Sequence, residues 1–151
     1  MEESHTETFK AEALGRGWPT KVSITDTEWN LKVDEPEEDG GSNSGPNPMQ
    51  YFIASLVSCQ NEQAQVVAEE LAVNISQIDI NAEIDLDLSG FMGMSDHSNN
   101  SYKSVRLIAL VSGEITEEQI IILGQKVDAR CPILALLRNS GCKIESTWNK
   151  K

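Results

Sequence analysis

The chain has no run of about 18 apolar residues, so it offers no helix fit to span a membrane. It is poor in positive charge: 12 Lys and Arg stand against 24 Asp and Glu, a net charge of −12. Such a surface repels phosphate backbones and anionic headgroups, which argues against nucleic acid and membrane as partners. Three cysteines are too few to read as a disulfide framework. No CxxC or HxxxH spacing occurs, and His5 and His97 stand in a tail and a loop, so no metal site is expected. The Gly-rich tract 40–46 has neither the P-loop nor the dinucleotide spacing, and no Lys follows it. The first residues, Met1-Glu2-Glu3-Ser4-His5, are acidic and unlike a signal peptide, so a cytoplasmic location is expected. In that reducing compartment the thiols are either buried fillers or reactive groups. There is no internal repeat.

What is present suits one domain over residues 1–151, with 39% hydrophobic residues for a core and a loose tail at 1–5. The organising stretch runs from Gly45-Pro46-Asn47-Pro48 to Cys59. Asn47 suits an N-cap and Pro48 the first helical position. From Met49 to Cys59 the helix is apolar on nearly every side and asks for burial all round. From Gln60 it turns amphipathic. A helix from Asn47 to about Ala72 would be ~40 Å long, and one small subunit would struggle to cover its apolar first half.

The remaining chain reads as alternating short elements. Strands are expected at 6–14, 18–24 and 29–33, forming an antiparallel meander. A loop follows at 34–47, acidic from Asp34 to Asp39 and then Gly-rich; the acidic run is expected to be solvated. Residues 75–88 alternate Ile and Leu with Asp, Asn and Glu, the clearest strand in the sequence. The Gly-, Met- and Ser-rich stretch 89–101 reads as a mobile loop in which Phe91, Met92 and Met94 could cover a pocket. A strand at 102–111 precedes Thr116-Glu117-Glu118-Gln119, a capping box opening a helix to about Ala129. A short helix, 132–139, and a last strand, 142–148, close the chain.

The cysteines carry the candidate chemistry. Cys131 precedes Pro132 at a helix start, where free amide protons and the positive helix end favour a thiolate, with Arg130 as an adjacent cation. Cys59 lies deep inside its helix and needs a partner from elsewhere to ionise. Cys142 alternates with Ile144 in the last strand and reads as a filler.

The order Asp34-Glu35-Pro36, Gly40-Gly41, Gly45-Pro46-Asn47-Pro48, a helical Cys59 and Cys131-Pro132 resembles the OsmC/Ohr family over residues 6–148. That resemblance implies an α+β fold in which strongly curved antiparallel sheets wrap two central helices of an intertwined homodimer. It implies a thiol-dependent reductase of organic hydroperoxides with no cofactor. Cys59 would be the peroxidatic cysteine and Cys131 the resolving one, with Arg16 as the arginine beside the first thiolate and an external thiol as reductant. Met49, Phe52 and Ile53 would line the substrate site. Catalytic members carry Glu directly after the second proline; here that position is Met49, which cannot orient a guanidinium. The alternative reading is therefore a dimer that binds a small hydrophobic molecule, or senses oxidants through its thiols, without turnover.

Overall fold

The computed structural model of the chain describes residues 5–94, 96 and 100–151. Residues 1–4 of the expected tail, and residues 95 and 97–99 of the expected 89–101 loop, His97 among them, lie outside the described residues. The architecture is α+β. The chain forms two compact units, one up to Phe52 and one from Ile53 onward.

The first unit holds the meander: β1 (Ala11–Leu14), β2 (Thr20–Ile24) and β3 (Asn30–Val33), antiparallel and in that order. β1 is shorter than the alternation suggests because β2 offers ladder partners only from Ala11↔Ile24 to Leu14↔Lys21. The loop after β3 contains a single 3-10 turn at Glu37–Asp39. Its organiser is Asp34, the first residue of the run expected to be solvated, and that expectation fails there. The Asp34 side chain is fully buried. It accepts from the Glu35 amide (2.9 Å), from the Ser42 amide and hydroxyl (3.3 and 2.7 Å), and from the Ser44 amide and hydroxyl (2.9 and 2.5 Å). Those donors hold its pKa far below the usual carboxylate range, the Ser42 and Ser44 hydroxyls acting most strongly. A buried anion with a full set of donors is stable where a bare one is not. The loop folds too tightly for a side chain at two points: a Cβ on Gly41 would stand 1.9 Å from the Glu35 carbonyl oxygen, and one on Gly45 would stand 2.3 Å from that of Lys32.

The loop delivers the chain to α1 (Pro48–Glu70). Asn47 caps the helix as expected, its Oδ1 accepting from the Gln50 amide at 2.9 Å. Gln50 returns the bond, its Oε1 accepting from the Asn47 amide at 2.9 Å, which makes a capping box with Asn in the first position. The Asn47 amide group also donates to Glu35 (3.2 Å).

In the second unit β4 (Asn74–Leu86), β5 (Tyr102–Glu114) and β6 (Lys143–Lys150) form one sheet in that order. β4 and β5 pair antiparallel from Asn74↔Glu114 to Leu86↔Tyr102. β6 runs parallel to β5, from Ser104↔Lys143 to Val111↔Lys150. The expectation of purely antiparallel sheets is thereby corrected. Between β5 and β6 lie α2 (Glu117–Arg130) and α3 (Pro132–Asn139), and such a helical crossover returns the chain to the end of the sheet where it started. The Thr116 capping box forms as read, with Gln119 reciprocating. The core gathers Ala64, Val67 and Ala68 of α1, Val111 of β5, Ile115, and Ile120, Leu123 and Val127 of α2. α2 approaches β6 at Gly124, where a Cβ would lie 2.4 Å from the Trp148 ring.

The apolar stretch Met49–Cys59 is less covered than its composition asks. Leu56 is fully buried, whereas Gln50, Ala54 and Ser58 are exposed and the others half-buried. Among the described residues no helix is long and apolar enough to cross a membrane.

Candidate functional site

Two elements of the second unit meet at their sulfurs. Cys59 projects from the fourth turn of α1. Cys131 is the N-cap of α3, held in an extended conformation (φ −66°, ψ 114°) between two helices. Pro132 fills the first helical position, where its missing N–H costs nothing, so the sequence itself dictates a kink at Cys131. The kink turns the Cys131 sulfur toward the open amides of α3, and Sγ accepts from the Leu134 N–H at 3.4 Å. The Cys59 and Cys131 sulfurs stand 3.0 Å apart, in hydrogen-bond contact, although 72 residues separate them. A disulfide needs ~2.05 Å between sulfurs, an approach of roughly 1 Å more. Cys131 is buried and Cys59 half-buried; all three cysteines are free thiols.

Burial, first, and then the neighbouring Cys131 push the Cys59 thiol up to about 12; the Glu62 carboxylate adds to the rise, and the Ile133 amide opposes it. Cys131 has the helix-end environment that its sequence position implies. Arg130, expected as a cation for that sulfur, is committed elsewhere. It forms a two-pronged pair with Glu70, Nη1 to Oε1 at 2.6 Å and Nη2 to Oε2 at 2.8 Å.

An open groove of about 530 Å³ is lined by Val57, Ser58, Asn61 and Glu62 of α1 and by Ile78 and Ile80 of β4. Its walls are half apolar and half polar. The residues expected to line a substrate site are not among these. Met49 and Phe52 belong to the first unit and Ile53 to the second, and all three are half-buried. Arg16 lies exposed in the β1–β2 connection of the first unit. The structure thus brings the two cysteines together within one unit, while Arg16, Met49 and Phe52 fall in the other. The groove residues carried a readable signal: 57, 58, 61 and 62 share one helical face, and Ile78 and Ile80 share one face of the alternating strand. Cys142 opens onto β6 as a buried thiol, Sγ 3.7 Å from the Lys143 carbonyl oxygen, and its pKa is raised by burial and by the Asp85 charge.

A protein-family model described as OsmC-like protein matches residues 41–147. The fold recurs in solved structures. An OsmC-like protein from Mycoplasma pneumoniae superposes with a TM-score of 0.80 at 15% identity, covering 97% of this chain and 98% of that one. An organic hydroperoxide resistance protein from Elizabethkingia anophelis gives 0.75 at 21% identity over all of both chains. The organic hydroperoxide resistance protein OsmC of Legionella pneumophila gives 0.72 at 23% identity, covering 95% of this chain and 97% of that one. No curated protein matches the sequence.

Proposed function

The chain belongs to the OsmC-like family, and from that premise we propose that it is a thiol-dependent hydroperoxide reductase whose redox couple is Cys59 and Cys131. The observation that carries the reading is the 3.0 Å contact between two thiols delivered by distant elements, one of them capping a helix. The Cys59 thiolate attacks the outer oxygen of ROOH; the O–O bond breaks, Cys59 becomes a sulfenic acid, and RO⁻ leaves to take up a proton. The Cys131 thiol then attacks the Cys59 sulfur, expelling the hydroxyl with a proton as water and closing the disulfide. An external dithiol, itself oxidised to a disulfide, returns the pair to two thiols. Two of the solved structures with this fold are organic hydroperoxide resistance proteins by name, which supports an organic peroxide as substrate. Met49, Phe52 and Ile53 would supply its apolar contacts, and Arg16 the cation that Cys59 needs.

A homodimer is part of this proposal. Ala54 and Ser58 are exposed in the largely apolar first half of α1, and Phe9, Leu14 and Trp29 are 87%, 80% and 72% exposed. A second copy would cover such surfaces.

The elevated Cys59 thiol favours one further reading: a slow disulfide that senses oxidants without turnover. One titration separates the two. Reduced protein is mixed with cumene hydroperoxide or hydrogen peroxide, and free thiols and the mass of the linked Cys59 and Cys131 peptides are followed. Rapid loss of two thiols into that disulfide, faster with the organic peroxide, is expected of the reductase. A rate no better than that of a free thiol would leave only the sensor.

A further inference from the structure

Glu70 is the last residue of α1, where the helix dipole disfavours a negative charge. Arg130 is the last residue of α2 and the immediate neighbour of Cys131. Their paired contacts, 2.6 and 2.8 Å, join the ends of two helices across 60 residues of sequence. The consecutive residues 130 and 131 are thus attached to α1 at two points: an ion pair at Glu70 and a sulfur contact at Cys59. Along α1 those points lie ~16 Å apart, three helical turns. The chain bends at Cys131, where α2 gives way to α3, and this is where an unbraced corner would swing. Arg138 of α3 adds a brace across the bend, donating to the Asp128 carbonyl oxygen of α2 at 3.2 Å.

We propose that Glu70 and Arg130 are positioning residues for the redox couple: their ion pair holds the α2–α3 corner on α1 so that Cys131 stays within closing distance of Cys59. The inference rests on reading the two cysteines as a redox couple. It does not require that a peroxide be the oxidant.

The test uses glutathione as oxidant, so that closing the protein disulfide consumes one oxidised glutathione and releases two glutathione thiols. The equilibrium constant of that exchange is measured for the whole protein, for Glu70→Gln, for Arg130→Gln and for the charge reversal Glu70→Arg with Arg130→Glu. Glu145→Gln, which removes the Lys143–Glu145 pair on β6, serves as the control. Each single variant is expected to close its disulfide less favourably by roughly two- to fivefold, the range of a partly exposed ion pair. The reversal restores most of the loss, and the control leaves the constant unchanged. At molar salt the unaltered protein moves toward the single variants. An unchanged constant in both single variants, even with a lowered Tm, overturns the proposal and leaves the pair a purely structural brace. If the unaltered protein forms no internal disulfide with glutathione, the redox couple falls and the positioning role with it. If it forms that disulfide yet ignores peroxides, the reductase reading alone falls.

Discussion

Asp34 is a fully buried acid and Cys59 a half-buried one, and the chain treats them in opposite ways. Around Asp34 it folds a loop whose backbone and serine donors all point inward, and the carboxylate stays charged. Around Cys59 burial, then the neighbouring Cys131 and last the Glu62 charge prevail over a single helpful amide, and the thiol is pushed toward its neutral form. The first site completes its own electrostatics within a dozen residues of sequence. The second lacks the compensation that a reactive thiolate needs. If Cys59 is the reactive thiol proposed above, the contrast separates a structural anion from a chemical one: a permanently satisfied charge is inert, whereas an unsatisfied thiol would need a cation brought from elsewhere.

The most complete effect is expected at the second site. Cys59→Ser should reduce peroxide-driven thiol consumption from two thiols in a disulfide to none in that disulfide, with stability changed by no more than about 1 kcal/mol. Peptide mass mapping after peroxide treatment checks the first part and thermal unfolding the second. At the first site the pattern reverses. Asp34→Ala strands buried donors in the loop and should lower Tm by roughly 5–10 °C. Gly41→Ala should act in the same direction, because its Cβ would meet backbone. Retained Tm in both variants would mean that the loop does not depend on its buried carboxylate.

The two sites also divide the pH scale. Asp34 has a folded-state pKa below its unfolded value, so its stabilisation is present above about pH 4 and is lost as pH falls toward the depressed value. Cys59 is raised to about 12, so its thiolate fraction, and with it the rate of the unaided chain toward peroxide, should climb about tenfold per pH unit from neutrality to pH 11. Acid urea titrations and peroxide kinetics read the two windows separately. A peroxide rate that levels off near pH 7 would show that a cation reaches Cys59 in the assembled protein, with Arg16 the residue to substitute next.

Much of this is legible in the sequence. Asn47-Pro48 marks the start of α1, the Ile and Asp alternation marks β4, and Cys131-Pro132 marks both a helix start and the sulfur at its cap. These signals are local, and local chemistry decides them. The burial of Asp34 was hidden because a run of acids looks uniformly solvated; the clue was Ser42 and Ser44, donors placed eight and ten residues on between glycines. Gln50 repeats at Asn47 the capping box that Gln119 makes at Thr116, and could have been read by the same rule. The direction of β6 does not reside in its own residues, since alternation is the same whichever way a strand runs. The two-helix crossover before it carries that information. The pairing of Cys59 with Cys131 came from the family resemblance, because no local rule links residues 72 positions apart.

The smallest expected effect tests whether the cap at Cys131 and its chemistry are separable. α1 begins on a reciprocal oxygen cap, whereas α3 begins on a sulfur, a weak acceptor at 3.4 Å. Cys131→Ser replaces that sulfur with a better acceptor in the same place and should leave stability within about 1 kcal/mol of the unaltered protein. Cys131→Ala removes the acceptor and should cost about 0.5–2 kcal/mol. Both variants lose the disulfide equally. If serine and alanine proved equally stable, the Leu134 amide would have no need of its cap, and the kink at residue 131 would have to be credited to Pro132 alone. If Cys131→Ser is more stable than the unaltered protein, the cysteine is there at a small cost to the helix, which a filler would not require and a redox partner of Cys59 would.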